Sequence, residues 1–199
     1  SCLVGSEMCI RDSTRLVTSK ADVREAFARC QAEASVAFGC ADLYVEEFLP
    51  QARHIEIQII GDALGSIVEL GERECSVQRR NQKVIEIAPC PNLSQSLRQD
   101  ITASAIRLAE AQGYFNLGTF EFLVDISSAD PRFFFIEANA RLQVEHTVTE
   151  EVMDVDLVRS QIQISQGRTL EELQLDKVNN KIPIGFAIQA RVNMEKIRS

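Results

Sequence analysis

The sequence predicts an α+β architecture built on a largely antiparallel sheet. Segments with helical spacing of apolar residues and segments with strand-like alternation occur in mixed order along the 199 residues. They do not follow the strict strand–helix–strand repeat that indicates a parallel sheet. We therefore expect a mostly antiparallel sheet with flanking helices.

Apolar residues at helical spacing predict three helices, over residues 19–39, 94–113 and 154–167. Polar capping residues precede them, at Ser19 with Asp22, at Ser94 and at Asp154. Each helix stops at a glycine. In the third helix, Val155, Val158 and Ile162 share the face that we expect to be buried.

Alternating or aromatic runs predict five strands, over residues 44–49, 54–59, 119–124, 132–137 and 185–192. In the second of these, isoleucines alternate with His54, Glu56 and Gln58, so apolar and polar side chains face opposite sides. In the third, Glu121 lies on the face opposite to two inward phenylalanines. The aromatic run 132–137 predicts a central strand.

Composition excludes several classes of function. The formal net charge is −8, from 29 acidic and 21 basic residues, which disfavours nucleic acid as a partner. No apolar stretch approaches the roughly 18 residues of a membrane span, so we expect no membrane insertion. The six cysteines form no Cys-x-x-Cys pair, which indicates a reduced, cytoplasmic protein. Residues 1–13 lack helical or strand periodicity and suggest a non-native or scar segment.

A run of oxygen-bearing side chains predicts a metal site. Glu137 and Asn139 lie two residues apart on a predicted strand and therefore project to the same side. Glu121, on a neighbouring predicted strand, offers a second carboxylate. Such hard oxygen ligands suit Mg²⁺ held together with a substrate phosphate. The alternative is a set of ordinary surface acids on an exposed sheet face.

The segment that follows predicts an anion site. Alternation would aim Arg141, Gln143 and Glu145 in one direction, so a guanidinium, an amide and a carboxylate would meet. The planar guanidinium of arginine matches a small planar oxyanion, and a nearby glutamate could take a proton from it. A surface salt bridge of little energetic weight is the equally weighted alternative.

Two further segments could contact a nucleotide. Residues 78–86 place three cations in five positions, a local positive patch suited to phosphate, although a solvated charged loop has the same composition. Residues 44–49 predict a strand that runs into a turn at Pro50. The end of such a strand can offer backbone groups to a purine edge, or can be plain structure.

Taken together, these segments resemble the biotin carboxylase branch of the ATP-grasp superfamily. The matching stretches are residues 44–49, 53–58, 72–83, 118–122 and 137–146. The resemblance extends in the same order over about residues 14 to 195, and the run from Arg141 to His146 followed by Thr149 and Glu150 is its most specific part. It implies an ATP-grasp fold with an incomplete lid subdomain, residues 14–49 being a lid remnant and 50–199 a C-terminally truncated catalytic subdomain.

The resemblance also implies a role for each matched position. Glu46, Glu47 and Leu49 would lie at the adenine, and His54 and Gln78 would approach the ribose and phosphates. The remaining roles concern metal, bicarbonate and biotin.

Lys83 would contact the phosphates and bicarbonate, with Glu56 as its carboxylate neighbour. Glu121, Glu137 and Asn139 would bind Mg²⁺ or Mn²⁺. Bicarbonate would be held by Arg141, Gln143 and the backbone of Val144, and Glu145 would deprotonate it. Arg191 would stabilise the enolate of biotin.

The implied reaction is the ATP-dependent carboxylation of biotin by bicarbonate through carboxyphosphate. The implied partners are ATP, bicarbonate, a biotin carrier domain or protein that presents biotin, and a carboxyltransferase, in a homo-oligomeric parent enzyme. The chain departs from the family in lacking the glycine-rich lid loop, and Asn81 replaces a common histidine. The alternatives are another ATP-grasp carboxylate–amine or carbamoyl ligase, a non-catalytic nucleotide-binding module, and a fragment that is inactive alone.

Overall fold

The computed structural model describes residues 2–5, 15–79, 82–127, 130–180 and 182–192. Two compact units make up the chain, Ser1–Pro50 and Gln51–Ser199. All strand pairs within the described segments are antiparallel, and helices accompany both sheets. The prediction of an α+β fold with an antiparallel sheet is therefore confirmed. In the described segments, no helix is both long and apolar enough to cross a membrane.

The first unit is a small sheet with one helix. It contains β1 (Cys2–Gly5), β2 (Arg15–Val17), α1 (Val23–Phe38) and β3 (Tyr44–Glu47), with the strand order β2-β1-β3. Val17 and Cys30 form its buried core. β1 lies inside the segment that the sequence analysis left outside the fold, although the foreign origin of residues 1–13 stays a prediction.

The helix of the first unit begins differently from the prediction. Gly39 directly follows the last residue of α1 and has a left-handed φ of 68°, so the glycine stop is confirmed. Asp22 occupies the N-cap without a side-chain capping bond. The hydroxyl of Ser19 instead donates to Asp22 Oδ2 at 2.7 Å. The predicted capping arrangement is wrong, because the two polar side chains bond to each other rather than to the helix.

The second unit is a six-stranded sheet with three α-helices among its described residues. Its elements are β4 (Ala52–Gly61), β5 (Ile67–Arg79), β6 (Gln82–Ala88), α2 (Gln95–Ala111), β7 (Asn116–Asp125), β8 (Arg132–Asn139), α3 (His146–Met153), α4 (Leu157–Ser165) and β9 (Ala187–Ala190), with a 3₁₀ helix at Asp176–Asn180. The strand order is β8-β7-β4-β5-β6-β9.

Strand β4 is buried on both faces. Ile55, Ile57 and Ile59 pack with α2 and with the phenylalanines of β7, as the alternation predicts. The opposite face carries His54, Glu56 and Gln58, which are 7%, 0% and 1% exposed. Buried polar side chains need hydrogen-bond partners. The sheet therefore has a polar interior on this face, and the candidate site is built there.

The second predicted helix is confirmed at its start. Ser94 Oγ accepts a hydrogen bond from the backbone N–H of Leu97 at 3.3 Å, and α2 runs from Gln95 to Ala111. The predicted stop at Gly113 follows closely, with a positive φ of 55°.

The third predicted helix is wrong in its start and in its buried face. Asp154 is the left-handed residue that ends α3, and α4 begins after Asp156, whose side chain accepts from the Arg159 N–H. The buried residues of α4 are Leu157, Ser160 and Ile164. Val158 and Ile162, expected to be buried, are 41% and 53% exposed. Leu157 and Ile164 define the buried stripe, and Val158 lies about 100° around the helix from Leu157, so Val158 and Ile162 turn toward solvent.

The aromatic run at 132–137 forms an edge strand rather than a central one. β8 pairs only with β7 among the described strands, and Phe134 and Phe135 are 37% and 45% exposed. Phe133 and Phe135 pack edge-on against Phe122, with ring centroids 6.0 and 5.7 Å apart. These cross-strand aromatic pairs explain why an edge strand has the composition of a central one.

Candidate functional site

The centre of the candidate site is the ammonium group of Lys83. It projects from β6, and its Nζ lies 2.6 Å from Glu56 Oε2, 2.7 Å from Glu145 Oε1 and 3.2 Å from Glu121 Oε1. All four side chains are buried. One lysine therefore joins carboxylates from β4, from β7 and from the segment that leads into α3.

The carboxylates keep Lys83 charged. Burial by itself would lower the pKa of an ammonium group. The adjacent carboxylates, Glu56 first and then Glu121 and Glu145, outweigh burial and raise the pKa of Lys83 far above its ordinary value. The site therefore contains a permanent, water-shielded cation.

Glu56 is shared between Lys83 and a fully buried arginine. Arg73 Nε lies 3.0 Å from Glu56 Oε1. The same guanidinium donates at 2.8 Å to Gln58 Oε1 and at 2.8 Å to Thr149 Oγ1 of α3. Burial would raise the pKa of Glu56, but Arg73 and Lys83 outweigh it and lower the pKa. Arg73 thus ties β4, β5 and α3 together behind the site.

Glu121 is connected to a histidine as well as to Lys83. His54 Nε2 lies 2.6 Å from Glu121 Oε2, and the side-chain amide of Gln78 lies 2.9 Å from His54 Nδ1. The amide acts as donor, so Nδ1 accepts and the Nε2 proton points at Glu121. Burial would raise the pKa of Glu121, but the hydrogen bond from His54 and the charge of Lys83 lower it far below its ordinary value.

Glu121, Glu137 and Asn139 come together as the sequence predicts. Glu121 and Glu137 are directly opposite each other on β7 and β8. The Asn139 amide donates to Glu121 Oε1 at 2.9 Å and to Glu137 Oε1 at 3.1 Å. Gln143 Nε2 donates to Glu121 Oε1 at 2.9 Å, whereas its Oε1 is buried without a hydrogen-bond partner in the described structure.

This donor set fits a hard divalent cation. Two carboxylates opposite each other on adjacent strands repel unless a cation neutralises them. The carboxylates of Glu121 and Glu137 and the amide oxygens of Asn139 and Gln143 are the ligand type that Mg²⁺ prefers. A second cluster, of His54, Glu56 and Glu121, has ligand atoms within 4.8 Å of one another. It fits less well, because Arg73 and Lys83 already engage Glu56.

Glu145 lies between two cations. Its Oε1 contacts Lys83, and its Oε2 accepts a 2.9 Å hydrogen bond from Arg191, just after β9. Arg191 Nε lies 2.8 Å from Oε1 of Glu86, a fully buried residue of β6. Both oxygens of Glu145 are thus oriented, while the Arg191 side chain is 30% exposed.

The remaining predicted residues of this segment are at the surface. Arg141 is exposed and donates to Asn139 Oδ1 at 3.2 Å, and Val144 is 64% exposed. Gln143 and Glu145 are buried. The predicted alternation therefore holds only for Gln143 and Glu145, because residues 140–145 form an irregular loop rather than a strand.

The predicted adenine residues belong to the other compact unit. Glu46 and Glu47 are exposed residues of β3, and Leu49 follows them, half-buried. The other predicted site residues all belong to the second unit. The nucleotide-contacting role of Glu46, Glu47 and Leu49 stays a prediction.

Sequence reasoning missed three residues of the site's framework. Arg73, Glu86 and Thr149 are all buried, and they contact Glu56, Arg191 and Arg73, respectively. The stretch from Glu69 to Ser76 is rich in charges, which is typical of a surface strand. Charge on a strand gives no sign of burial unless its partners are known, so periodicity alone could not identify Arg73 or Glu86.

Comparisons with known proteins agree with one another. A sequence profile described as carbamoyl-phosphate synthase L chain, ATP binding domain, matches residues 12–173. Pyruvate carboxylase 1 of Caenorhabditis elegans is 52% identical over 181 residues, which is 91% of this chain and 15% of that protein. The chain thus spans about a sixth of the length of the curated relatives it matches.

Solved structures give the same result. The biotin carboxylase of Campylobacter jejuni, solved as a β,γ-ATP complex, matches with a TM-score of 0.84 and 37% identity over 96% of this chain and 41% of that one. The biotin carboxylase domain of Hydrogenobacter thermophilus 2-oxoglutarate carboxylase, solved with MgADP, ADP and bicarbonate, matches with a TM-score of 0.86 and 36% identity, covering 98% and 42% of the two chains.

Proposed function

The chain belongs to the carbamoyl-phosphate synthase L chain, ATP binding domain family, and on that premise we propose that it is the ATP- and bicarbonate-binding part of a biotin carboxylase. The observation that carries the proposal is the placement of Glu145 between Lys83 and Arg191, beside the facing carboxylates of Glu121 and Glu137. A base, two cations and a metal-compatible donor set lie on one face of one sheet. The activation of bicarbonate by ATP requires these groups.

The proposed reaction has two steps. Glu145 takes the proton of bicarbonate, whose oxygen then attacks the γ-phosphate of ATP, giving carboxyphosphate and ADP. Carboxyphosphate breaks down into CO₂ and phosphate next to biotin. The phosphate takes the proton of a biotin nitrogen, and that nitrogen then forms a bond with the CO₂. Positioning and neutralisation of charge account for most of the catalysis in such phosphoryl transfers.

Glu121, Glu137 and Asn139 would hold Mg²⁺ or Mn²⁺, with the unpaired Gln143 oxygen close by. A bound divalent ion supplies charge neutralisation at the phosphates of ATP. Lys83 contributes a fixed positive charge to the same region, because its buried carboxylate partners keep it protonated.

Bicarbonate would be held by the guanidinium of Arg141, the amide of Gln143 and the backbone of Val144. The exposure of Arg141 and Val144 supports this assignment, because a small anion has to enter from solvent. The charge and planar shape of a guanidinium match bicarbonate. Arg191, which contacts Glu145 and is still 30% exposed, would stabilise the enolate of biotin.

The nucleotide contacts are proposed as the family resemblance implies them. His54 and Gln78 would approach the ribose and phosphates, and Glu46, Glu47 and Leu49 the adenine. The hydrogen bond between His54 and Gln78 supports a common role for these two residues.

The whole enzyme would be a biotin-dependent ligase. The relatives that match at 48 to 52% identity are pyruvate carboxylases, so we propose pyruvate as the acceptor. The partners would be a biotin carrier domain and a carboxyltransferase, in a homo-oligomer. A cytoplasmic location also stays a prediction.

The experiment that tests the function is an assay of phosphate release from ATP by the full-length protein that contains this chain. Release should require bicarbonate and should increase with free biotin. Release that is indifferent to both would assign the protein to another ATP-grasp ligase and would remove the bicarbonate roles of Arg141, Gln143 and Glu145. An assay of the 199-residue chain alone would test the expectation that it is inactive.

A further inference from the structure

Buried ion pairs form an alternating chain of charges across the sheet of the second unit. The order of its members is Arg73, Glu56, Lys83, Glu145, Arg191 and Glu86. The five contacts between successive members measure 3.0, 2.6, 2.7, 2.9 and 2.8 Å. Each interior member contacts opposite charge on both sides, and Arg73 and Glu86 are the two ends.

Glu86 has no role in the proposed reaction, and its burial is energetically unfavourable. It is 0% exposed, and burial raises its pKa although Arg191 acts in the opposite direction. Neither of its oxygens has a hydrogen-bond partner within the described segments, so Oε1 meets Arg191 Nε as a close ion pair and not as an aligned hydrogen bond. A buried carboxylate with a single cationic neighbour destabilises a fold unless that neighbour is held in place.

The Arg191 side chain, in turn, requires contacts that hold it in place. Its backbone N–H bonds to the carbonyl of Val84 at 2.8 Å, which fixes the start of its side chain. The guanidinium is 30% exposed and could otherwise rotate into solvent. Glu145 accepts a hydrogen bond from the terminal nitrogen, and the Glu86 carboxylate lies 2.8 Å from Nε as a buried opposite charge, so the two carboxylates hold the group from two sides.

We propose that Glu86 is a positioning residue that holds the Arg191 guanidinium in the orientation needed at Glu145 and biotin. The inference rests on the proposed function, because it assigns Glu86 to the step in which Arg191 acts. Glu86 itself touches no reacting atom. Its effect on the reaction passes through Arg191.

The matched comparison is Glu86→Gln against Glu72→Gln. Glu72 Oε1 lies 2.8 Å from Arg98 Nε, with the arginine side chain 30% exposed and the glutamate 5% exposed. The Glu86 pair has the same atoms, the same distance and the same arginine exposure, although only the Glu72 contact has hydrogen-bond geometry. Only the Glu86 pair adjoins the candidate site, so the two variants separate loss of a buried ion pair from loss of Arg191 positioning.

In the full-length protein, Glu86→Gln should lower kcat/KM for free biotin by up to about 100-fold, the cost of misplacing a catalytic group by about 1 Å. The KM for ATP should stay close to that of the wild type, and Glu72→Gln should match the wild type in both values. In an Arg191→Met background, Glu86→Gln should have no further effect, because it acts through the missing arginine. Independent, additive losses would overturn the proposal.

A second readout does not depend on activity. In the ¹⁵N-labelled 199-residue chain, the Nε–H resonance of Arg191, assigned by its loss in Arg191→Met, should shift in Glu86→Gln and stay in place in Glu72→Gln. An unchanged resonance would overturn the proposal even if the kinetics changed. If wild-type protein shows no biotin response, the proposed function fails, and this resonance alone decides whether Glu86 orients Arg191. Should Glu86→Gln not fold, Glu86→Asp, which keeps the charge but shortens the reach, should give a smaller shift and a smaller kinetic loss.

Discussion

Lys83 Nζ and Glu145 Oε1 lie 2.7 Å apart, although the two residues are 62 positions apart in sequence. The second oxygen of Glu145 accepts from Arg191 at 2.9 Å. A carboxylate between two cations is held ionised and oriented, which is the state that a general base needs before it takes a proton. The same contacts weaken it as a base, so bicarbonate has to approach where it can exchange one of these contacts.

Replacing Glu145 with glutamine should abolish bicarbonate-dependent ATP cleavage in the full-length protein. Loss of a general base costs about 10²- to 10⁴-fold in rate. Nucleotide affinity should change little, because the amide keeps the size of the side chain and Lys83 keeps Glu56 and Glu121 as partners. Phosphate release and nucleotide titration by calorimetry measure the two effects. Glu151→Gln, an exposed change on α3, is the control, and near-normal turnover of Glu145→Gln would remove Glu145 from the role of base.

Glu137→Gln should weaken the binding of Mg²⁺ together with ATP. It removes one of two facing carboxylates and keeps the hydrogen-bonding capacity toward Asn139. Loss of a ligand should cost at least about tenfold in affinity, the size of effect found even for outer-shell partners of a metal. Calorimetric titration of Mg²⁺ into the nucleotide-loaded protein measures the change. Identical titrations for variant and wild type would contradict the metal role of Glu137.

Several elements could be predicted from the sequence for physical reasons. The isoleucine alternation of β4 and the serine cap of α2 are local signals, and both are confirmed. The family resemblance is also confirmed, because it rests on residues matched in order along most of the chain. The facing of Glu121 and Glu137 followed from the assignment of both segments to neighbouring strands.

The features that the sequence did not predict correctly are those that tertiary contacts determine. α3 begins directly after Glu145, and its apolar stripe is too short to be recognised beside a charged segment. The edge position of β8 is set by the strand order of the sheet. The aromatic composition of β8 carries no information on that order. The burial of Arg73 depends on acceptors from three other elements, among them Gln58 and Thr149, and no local pattern reports them.

Acidification should destabilise the second unit through Glu121. The pKa of Glu121 is lowered in the folded chain, whereas an unfolded glutamate titrates near 4.3. The group therefore contributes stability that is fully present above about pH 5 and is lost as the pH falls through about 4 toward the lowered folded value. Glu121→Gln should be less stable at pH 7 and should lose less stability between about pH 5 and pH 3.

Urea unfolding at several pH values in that range measures how steeply the free energy of unfolding changes with pH. Glu110→Gln, an exposed change on α2, should keep the slope of the wild type. Equal slopes for wild type and Glu121→Gln would show that the contacts to His54 and Lys83 do not stabilise the ionised carboxylate.

Arg73→Met should be the most destabilising of the substitutions considered. It leaves Glu56, which is fully buried, with Lys83 as its only cationic partner among the residues that the structure describes. Gln58 and Thr149 also lose the hydrogen bonds that Arg73 donates to them. Removal of one member of a buried ion pair costs about 3–5 kcal/mol, because the remaining charge is uncompensated. The free energy of unfolding from urea titration measures the loss. Adding Glu56→Gln to Arg73→Met should recover part of it, since the uncompensated charge is then gone. A double variant as unstable as the sum of the two single variants would mean that Arg73 stabilises the fold through packing and the α3 contact rather than through the charge of Glu56.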